Sequence, residues 1–203
     1  MIQSTGPRRA PWHHRTLAAL MRELGRIGIR INPFLVVREA ETVTPGTMEN
    51  EDLEFAIAGP GDIDELLRLQ RGHNKDSIAQ WFAEGKLCFT AKHEDRLVAL
   101  MWCDLDAFNY PPNFRKLSQG EAYLFAAISD PEYRGRSVAP SLRLFCYDEL
   151  RKRGVTSIYS YTDYYNSAAR RFKAKLNARD LRLRVAVDLW GRWSWTFTLK
   201  HYD

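Results

Sequence analysis

The chain has 203 residues, 45% of them hydrophobic, so it can bury one core, and its length favours a single domain with an appendage. No stretch reaches the roughly 18 uninterrupted apolar residues that a membrane-spanning helix needs, and the N-terminus lacks the apolar run of a signal peptide, so we expect a cytoplasmic protein. The three cysteines have no paired spacing and the five histidines form no ligand pattern, so we expect neither a disulfide framework nor a metal site.

The net charge of +5 is distributed unevenly along the chain. Residues 1–38 carry seven Arg against the single acidic residue Glu23, whereas residues 39–65 carry nine Asp or Glu and no Lys or Arg. A second basic cluster lies within residues 170–184. Such clusters can contact nucleic acid, anionic lipid, an acidic carrier protein or cofactor phosphates, and they can equally form a solvated face. Charge alone leaves these alternatives open.

The N-terminal part of the chain has its own pattern. Apolar residues recur at helical spacing at Leu17, Leu20, Met21, Leu24 and Ile27, which predicts an amphipathic helix over residues 14–28. A short strand is predicted at 34–37, and a polar, turn-rich linker follows it. We therefore divide the chain into an N-terminal segment of residues 1–52 and a domain of residues 53–203.

Within residues 53–203, strands and helices follow one another with turn signals between them. The predicted strands are 53–58, 86–92, 97–104, 122–129, 155–162, 182–189 and 192–199, and the predicted helices are 62–71, 77–84, 138–153 and 166–176. This order predicts an α/β fold of the α+β type, with a mixed, mostly antiparallel central sheet flanked by helices. Residues 104–120 are predicted to form an aromatic, proline-stiffened loop between two strands.

The turn from Asp130 to Pro140 joins a predicted strand to the longest predicted helix and is rich in small residues and arginine. A loop that opens directly into a helix directs several unpaired backbone N–H groups towards one point, where the helix dipole also favours negative charge. Pro140 suits the first helical turn because its missing N–H has no helical partner there. The turn is therefore predicted to bind a pyrophosphate.

Two motifs resemble those of the GNAT superfamily of acyl-CoA-dependent N-acyltransferases. The sequence Arg134-x-x-Ser137-x-Ala139 resembles the signature Gln/Arg-x-x-Gly-x-Gly/Ala, and residues 166–176 resemble the pattern Asn-x-x-Ala-x-x-Leu-Tyr-x-Lys-Leu. Ser137 replaces a glycine of the signature, which costs roughly 1–2 kcal/mol if that position has a positive φ. Asn177 replaces the glycine that follows the second motif, and asparagine tolerates the left-handed conformation.

The resemblance covers about residues 53–199 and implies a GNAT-like fold, with acetyl-CoA or another acyl-CoA as co-substrate. It implies cofactor contacts from the end of the strand, the loop, the start of the helix and the second motif. These residues are Ile128, Ser129, Arg134, Gly135, Arg136, Ser137, Val138, Ala139, Asn166 and Lys173. Lys173 stands where the family pattern has a tyrosine that often protonates the departing thiolate. We therefore take Tyr165, one of a cluster of nearby tyrosines, as the candidate acid.

GNAT enzymes often place a general-base carboxylate on the strand that leads into the loop, which makes Glu121 the candidate base. The most familiar position of that carboxylate falls on Tyr123, and Glu121 lies one pleat earlier on the same face. Glu121 is equally well interpreted as a solvent-facing residue at the start of a strand. Trp102, Tyr110 and Tyr123 are candidates for acceptor binding, because this region faces the acceptor in GNAT folds and is rich in aromatic side chains.

Three functions remain open at this point. The first is transfer of an acetyl group from acetyl-CoA to a primary amine on a small molecule or protein. The second is transfer of a longer acyl chain, from acyl-carrier protein or long-chain acyl-CoA, because the basic clusters could bind an acidic carrier or an anionic membrane through the N-terminal arm. The third is a catalytically inactive CoA-binding module. A homodimer is also open, and nucleic acid is not an expected partner.

Overall fold

The computed structural model describes residues 20–21, 23–40, 52–110 and 113–202. The strands are β1 (Ile29–Arg38), β2 (Glu54–Ala58), β3 (Leu87–His93), β4 (Arg96–Asp104), β5 (Ala107–Tyr110), β6 (Asn113–Lys116), β7 (Glu121–Ser129), β8 (Ser157–Asp163), β9 (Arg179–Leu189) and β10 (Trp193–His201). The helices bounded at both ends are α1 (Ile63–Leu69), α2 (Lys75–Ala83), α3 (Val138–Lys152) and α4 (Ser167–Lys175). None of the helices in the described ranges is long and apolar enough to cross a membrane.

Eight strands form one sheet in the order β10-β9-β1-β8-β7-β4-β3-β2. Neighbouring strands are antiparallel throughout except for β7 and β8, which run parallel. The mixed, mostly antiparallel sheet expected from the sequence is therefore confirmed. The predicted N-terminal helix lies largely outside the described residues, within which helical backbone occurs at 20–21 and 23–26.

Helices cover both faces of the sheet around its centre. On one face, α3 places an i, i+4 stripe of Val138, Leu142, Cys146 and Leu150 against β3, β4 and β7. On the other face, α1 and α2 pack over a second cluster that includes Trp102 of β4. Alternation along β4 sends successive side chains to the two clusters, so this strand is buried over nearly its whole length.

Local signals set the ends of these elements. Asn74 caps α2 by accepting a hydrogen bond from the Ser77 backbone N–H at 2.9 Å. Gly154, at a φ of 82°, follows the end of α3 as expected. Residues 104–120 differ from the prediction, because they contain the two-stranded hairpin β5–β6 rather than only a loop. Alternating aromatic and polar residues in this segment suit a hairpin that lies on a sheet face.

Strand β1 is an internal strand of the main sheet. It pairs with β8 on one side and with β9 on the other, and its residues Phe34 and Leu35 are both fully buried. The division that we drew after residue 52 therefore separates a strand from the sheet to which it belongs. The strand predicted at residues 34–37 covers only the part of β1 in which the side chains on both faces are apolar.

We predict that β1 is required for folding and that the residues before it are not. Deleting residues 1–26 should leave a cooperative thermal transition, whereas deleting residues 1–38 should abolish it, because β8 and the β9–β10 hairpin then lose their common partner. Circular dichroism at increasing temperature distinguishes the two truncations. Equal melting temperatures for both variants would contradict the role assigned to β1.

Candidate functional site

The site begins where β7 and β8 separate. Their parallel pairing runs from Glu121 opposite Ser157 to Leu124 opposite Ser160 and ends there. Ala126, two residues after Leu124, has a φ of 46°. The register of β4 against β7 shifts at this point, between Leu100 and Trp102 of β4. This bulge turns β7 away from β8. The backbone of β7 beyond Leu124 therefore faces an opening between the two strands.

A cleft of about 740 Å³ continues from this opening to the start of α3. It is bordered by β4 and β7, by the loop before α3, and by α3 and α4. The lining residues are Leu100, Met101, Ala127, Ile128, Ser129, Tyr133, Arg134, Gly135, Ser137, Val138, Ala139, Pro140, Leu142, Arg143, Asn166, Ala168, Ala169, Arg171, Phe172 and Lys175. The apolar strand end and the basic, helix-forming end give the cleft two chemically different halves.

The backbone at the start of α3 is arranged to receive an anion. Ser137, the N-cap residue, has φ 60° and ψ 10° and makes no side-chain capping bond, so first-turn N–H groups such as that of Ala139 have no intrahelical partner. Gly135 has a φ of 81°, and a Cβ added there would meet no atom within 4 Å. The positive φ that the sequence suggested for the glycine-like position of the signature is thus confirmed, with Ser137 occupying it.

Positive side chains surround the same end of the cleft. Arg134, Arg171 and Lys175 contribute to its lining, whereas the lining residue Arg143 is ion-paired with the buried Glu39. Cationic side chains combined with a helix N-terminus favour a ligand that carries several phosphate groups. Asn166 caps α4 by accepting from the Ala169 N–H at 3.0 Å, so its amide fixes nearby backbone at the edge of the cleft. The start of α3 therefore has the chemistry that a polyanion site requires, and it adjoins the apolar part of the cleft.

Comparison with known proteins identifies the family. The family model described as the Acetyltransferase (GNAT) family matches residues 59–177, more than half of the chain. The chain belongs to this family. Its β7–β8 opening and the loop before α3 lie inside the matched range.

Individual relatives agree with this assignment. Over 196 residues the chain is 27% identical to a mycothiol acetyltransferase of Nocardia farcinica (strain IFM 10152), covering 86% of this chain and 62% of the length of that protein. The fold is similar to an acetyltransferase of the GNAT family from Colwellia psychrerythraea, with TM-score 0.60, 18% identity and coverage of 79% and 57% of the two chains. It is also similar to the ribosomal-protein-S18-alanine N-acetyltransferase of Escherichia coli, with TM-score 0.50, 19% identity and coverage of 61% and 76%.

Most of the residues expected at the cofactor lie in this GNAT cleft, and two of them do not. Ile128, Ser129, Arg134, Gly135, Ser137, Val138, Ala139 and Asn166 are lining residues. Arg136 instead holds its guanidinium over the ring of Tyr133, 5.1 Å from the centroid. Lys173, which we expected to contact the cofactor, is only 5% exposed and is not among the lining residues of the cleft. The family tyrosine position is thus occupied by a buried amine that points away from the cleft.

The Lys173 amine lies in a buried polar cluster behind the cleft. It donates to Ser160 Oγ at 2.6 Å and Thr162 Oγ1 at 2.5 Å, and its Nζ is 3.5 Å from Glu39 Oε1. Burial lowers the pKa of Lys173 to about 8, against the opposing charge of Glu39. Because the amine bonds to β8, Lys173 fixes α4 to the strand that borders the opening.

Glu39 is the centre of this cluster and follows directly after β1. Its fully buried carboxylate accepts from Arg143 Nη1 at 3.1 Å and also accepts from the Tyr147 and Ser160 hydroxyls. Although burial opposes ionisation, the Arg143 and Lys173 charges and these bonds lower the pKa of the Glu39 carboxyl overall. We had interpreted Glu39 only as the start of an acidic segment. Its position directly after an apolar strand was the available signal.

The sheet face on which we expect the acceptor, here called the acceptor face, lies on the opposite side of β7 and β8 from α3. Here the β5–β6 hairpin packs Tyr110 against Tyr161 of β8, with ring centroids 3.9 Å apart, and Asn32 donates to the Tyr110 hydroxyl at 2.5 Å. Burial raises the pKa of Tyr110 to about 12, so it stays protonated at neutral pH. Tyr110 is partly exposed, as a substrate-contacting residue must be.

Two of the three expected acceptor residues are core residues. Trp102 is fully buried and donates its Nε1–H to Gln70 Oε1 at 3.0 Å, and Tyr123 is only 2% exposed. Their large side chains fill the space under the acceptor face. Both side chains pack between the sheet and the elements above it, so neither is exposed to an acceptor in this structure, and their contact with the acceptor stays a prediction.

Glu121 is also poorly placed to act as a base. It lies in the paired part of β7, three residues before Leu124 and therefore about 10 Å from the opening. Its carboxylate accepts from Arg115 Nη1 at 2.7 Å and from the Ser118 N–H at 2.9 Å, and these bonds lower its pKa. A carboxylate held in its ionised form by two donors is a weak proton acceptor, so the structure does not support the role we assigned to it.

Asp163 is a carboxylate that sequence analysis missed. It ends β8 on the acceptor face, is exposed, and accepts from the Tyr165 N–H at 2.9 Å. Its charge contributes to raising the pKa of Tyr110, Tyr161 and Tyr165, after the larger effect of burial. Asp163 lies on the same face of β8 as Tyr161, two residues further along the strand. An acidic residue two positions after Tyr161, at the end of the strand beside the cleft, was the signal available.

We predict that glycine relieves the backbone strain at Ser137, which has a positive φ. Ser137→Gly should raise the free energy of unfolding by up to about 1 kcal/mol, because glycine adopts the positive φ without the penalty of a Cβ. Ser137→Ala retains the Cβ and should give no gain. Urea denaturation measures both variants, and an equal gain from alanine would show that the serine hydroxyl, not the backbone, causes the strain.

We predict that the Glu39 cluster is strongly coupled. Glu39→Gln should lower the free energy of unfolding by about 3–5 kcal/mol, because it leaves buried cations without a counter-charge. Adding Lys173→Met removes one of those cations, so the double variant should be more stable than the sum of the single effects implies, by at least about 1 kcal/mol. Denaturant titration of the four proteins tests this, and strictly additive effects would contradict the cluster.

Proposed function

We propose that this protein is an N-acetyltransferase that transfers the acetyl group of acetyl-CoA to a primary amine. The observation that carries the proposal is the separation of β7 and β8 directly beside the anion-binding start of α3. An extended thiol ester with a phosphorylated end matches a channel that is apolar at the strands and basic at the helix. Membership of the GNAT family supports the same reaction class.

The residues present fit acetyl-CoA. The open space around Gly135 lets phosphate oxygens approach the backbone, and the N–H groups at the start of α3 donate to them. Arg134, Arg171 and Lys175 balance the negative charge. Acetyl-CoA would supply the activated acetyl group when bound, and the residues of this cleft would hold its phosphates at the start of α3.

Backbone groups at the opening would stabilise the reacting carbonyl. After Leu124, β7 stays paired with β4 but has no pairing with β8, so the backbone groups on its β8 side border the channel. Fixed backbone donors of this kind stabilise negative charge as it develops on an acyl oxygen, and they need no reorganisation during the reaction. Tyr165 stays our candidate for protonating the thiolate, because burial raises its pKa and it adjoins the cleft residue Asn166.

The acceptor side suits a substrate in which the amine is attached to an apolar or aromatic group. Asp163 supplies negative charge that would attract an ammonium group and take its proton, and the packed rings of Tyr110 and Tyr161 provide the aromatic neighbour. The buried Trp102 and Tyr123 leave the inner end of the site filled with large side chains. That packing favours an acetyl donor over a long acyl chain, which would need a tunnel.

Cofactor binding is tested with a charge at the start of α3. We predict that Ala139→Glu abolishes the rise in melting temperature caused by acetyl-CoA, because the new carboxylate repels the phosphates. The variant should still fold, since an acidic side chain in the first helical turn is favourable there. Ala139→Gln has nearly the same shape without the charge and should retain most of the shift. An unchanged shift in Ala139→Glu would place the cofactor elsewhere.

Acceptor binding is tested with a pair of acidic residues. We predict that Asp163→Asn raises KM for the amine at least about tenfold, a loss of about 1.4 kcal/mol, and lowers kcat, with the KM for acetyl-CoA little changed. Glu121→Gln, which alters a carboxylate far from the opening, serves as the matched control. Release of CoA thiol in the presence of a panel of primary amines gives the rates. Equal kinetics for both variants would remove Asp163 from the mechanism.

The acyl-carrier alternative rests on charge near the cleft. Arg170, Arg171 and Arg179 border a second cavity of about 560 Å³ that adjoins the cofactor cleft through Arg171. Removal of residues 1–26, which retains β1, tests whether the N-terminal arm binds a carrier or anionic vesicles. Binding of acetyl-CoA without acetyl transfer to any tested amine would instead favour the inactive, CoA-binding alternative.

A further inference from the structure

Two arginines of β9 lie side by side without an acidic partner. Arg182 and Arg184 are two residues apart on one strand, so their side chains lie on the same face of the sheet. Among the described residues, neither side chain forms a salt bridge or a hydrogen bond. The Nε of Arg184 is shielded from solvent and has no hydrogen-bond partner there. We call these two residues the arginine pair.

The environment of Arg184 lacks a counter-charge. Partial burial and the like charge of Arg182 both lower the pKa of its guanidinium, burial having the larger effect. A shielded donor of a cationic group is costly when it has no acceptor, and such groups are normally paired. The arginine pair is therefore incomplete in a way that an anion would correct.

The strand register places the arginine pair beside the acceptor face. Phe34 of β1 is opposite Asp163 of β8 on one side and opposite Arg184 of β9 on the other. Directly opposite residues of antiparallel strands project to the same face, so these three side chains form one row. Arg182 lies in the next row, across β1 from Tyr161. With neighbouring strands about 4.8 Å apart, the Cα atoms of Asp163 and Arg184 are separated by about 10 Å.

An aromatic surface separates the two opposite charges. Phe34, in the middle of the row, is fully buried, and the ring of Tyr110 packs on it with centroids 4.3 Å apart. Tyr110 is itself partly exposed. The surface between Asp163 and Arg184 is therefore provided by a tyrosine of the hairpin, with a negative charge on one side of it and positive charges on the other.

The arginine pair has the donors that an oxyanion requires. Guanidinium groups are planar and present parallel N–H donors that match the oxygens of a carboxylate or a phosphate. Thr198 of β10 is opposite Arg184 and adds a hydroxyl on the same face. An anion between the two guanidinium groups would also offset their mutual repulsion. A neutral ligand would leave that repulsion unchanged.

We propose that the arginine pair binds an anionic group of the acetyl acceptor, so that the acceptor is an amine with a carboxylate or phosphate across an apolar or aromatic spacer. The inference rests on the proposed N-acetyltransferase function, because the amine is placed at Asp163. The spacer then lies on Tyr110, and the anion lies at Arg182 and Arg184. Opposite charges at the two ends of the surface allow such a molecule to bind in one orientation only.

Matched acceptors test the proposal. 4-(Aminomethyl)benzoate and 4-methylbenzylamine have the same spacer and amine and differ in the anionic group, and tyramine phosphate and tyramine form the corresponding phosphate pair. Release of CoA thiol gives kcat/KM for each amine. We expect the wild type to prefer the anionic member of at least one pair by about tenfold or more. The pair that shows the preference identifies the anion.

Variants assign the preference to the arginine pair. Arg184→Gln should remove most of it, because one of the two guanidinium groups is lost. Arg192→Gln removes the same charge at the exposed turn between β9 and β10 and should keep the wild-type preference. Circular dichroism verifies that both variants fold. Transfer to neutral and anionic amines at equal rates in the wild type overturns the proposal, as does an equal change of preference in the two variants.

Calorimetry without acetyl-CoA separates this inference from the proposed function. 4-(Aminomethyl)benzoate and tyramine phosphate are titrated into the wild type and both variants, and Arg184→Gln should weaken binding of the preferred anion at least about tenfold relative to Arg192→Gln. If no amine is acetylated but binding still depends on Arg184, the N-acetyltransferase proposal fails and the anion site is retained. Binding that is absent, or independent of Arg184, overturns the anion site whether or not amines are acetylated.

Discussion

The buried carboxylate of Glu39 is the interaction on which the geometry of the site depends. It joins the end of β1 to Arg143 and Tyr147 of α3, to Ser160 of β8 and, through charge, to Lys173 of α4. These are the helices and the strand that border the cleft. Because a carboxylate without these partners would be very costly to bury, the cluster forms as a unit or not at all. The width of the cleft is therefore tied to the position of β1.

This dependence explains why the N-terminal strand belongs to the domain. β1 holds β9 and β10 onto the sheet and also delivers Glu39 to the space behind the cleft. A hairpin of β9 and β10 alone would have no internal partner, and α4 would lack the anion that keeps its lysine buried. β1 thus joins β9 to β8 in the sheet and also orients α3 and α4 through Glu39. It lies outside the range of the family match.

The sequence predicted the elements and the cofactor loop better than it predicted the chemistry. The ends of most helices and strands were predicted to within a few residues. The signals used were local ones: the spacing of apolar residues, the helix-ending Gly154 and the residues around Ser137. The positions of Glu39, Lys173 and β1 depend on long-range pairing, which no local pattern encodes. A lysine at the family tyrosine position looks exposed from sequence, since burial of its amine requires an anion that lies 134 residues earlier in the chain. The burial of Trp102 and Tyr123 also depends on long-range packing, because α1 and α2 cover Trp102 and the β5–β6 hairpin covers Tyr123.

The two halves of the site therefore differ in how much sequence change they tolerate. The phosphate end relies on backbone N–H groups and the dipole of α3, so Ser137 can replace glycine at a modest energetic cost while the donors stay in place. The acceptor end, as we propose it, relies on particular side chains, namely Tyr110 of the hairpin and Tyr161 and Asp163 of β8. Differences in substrate between relatives of this fold would then arise at the hairpin and at the end of β8, because changes there leave the backbone of the cofactor loop untouched.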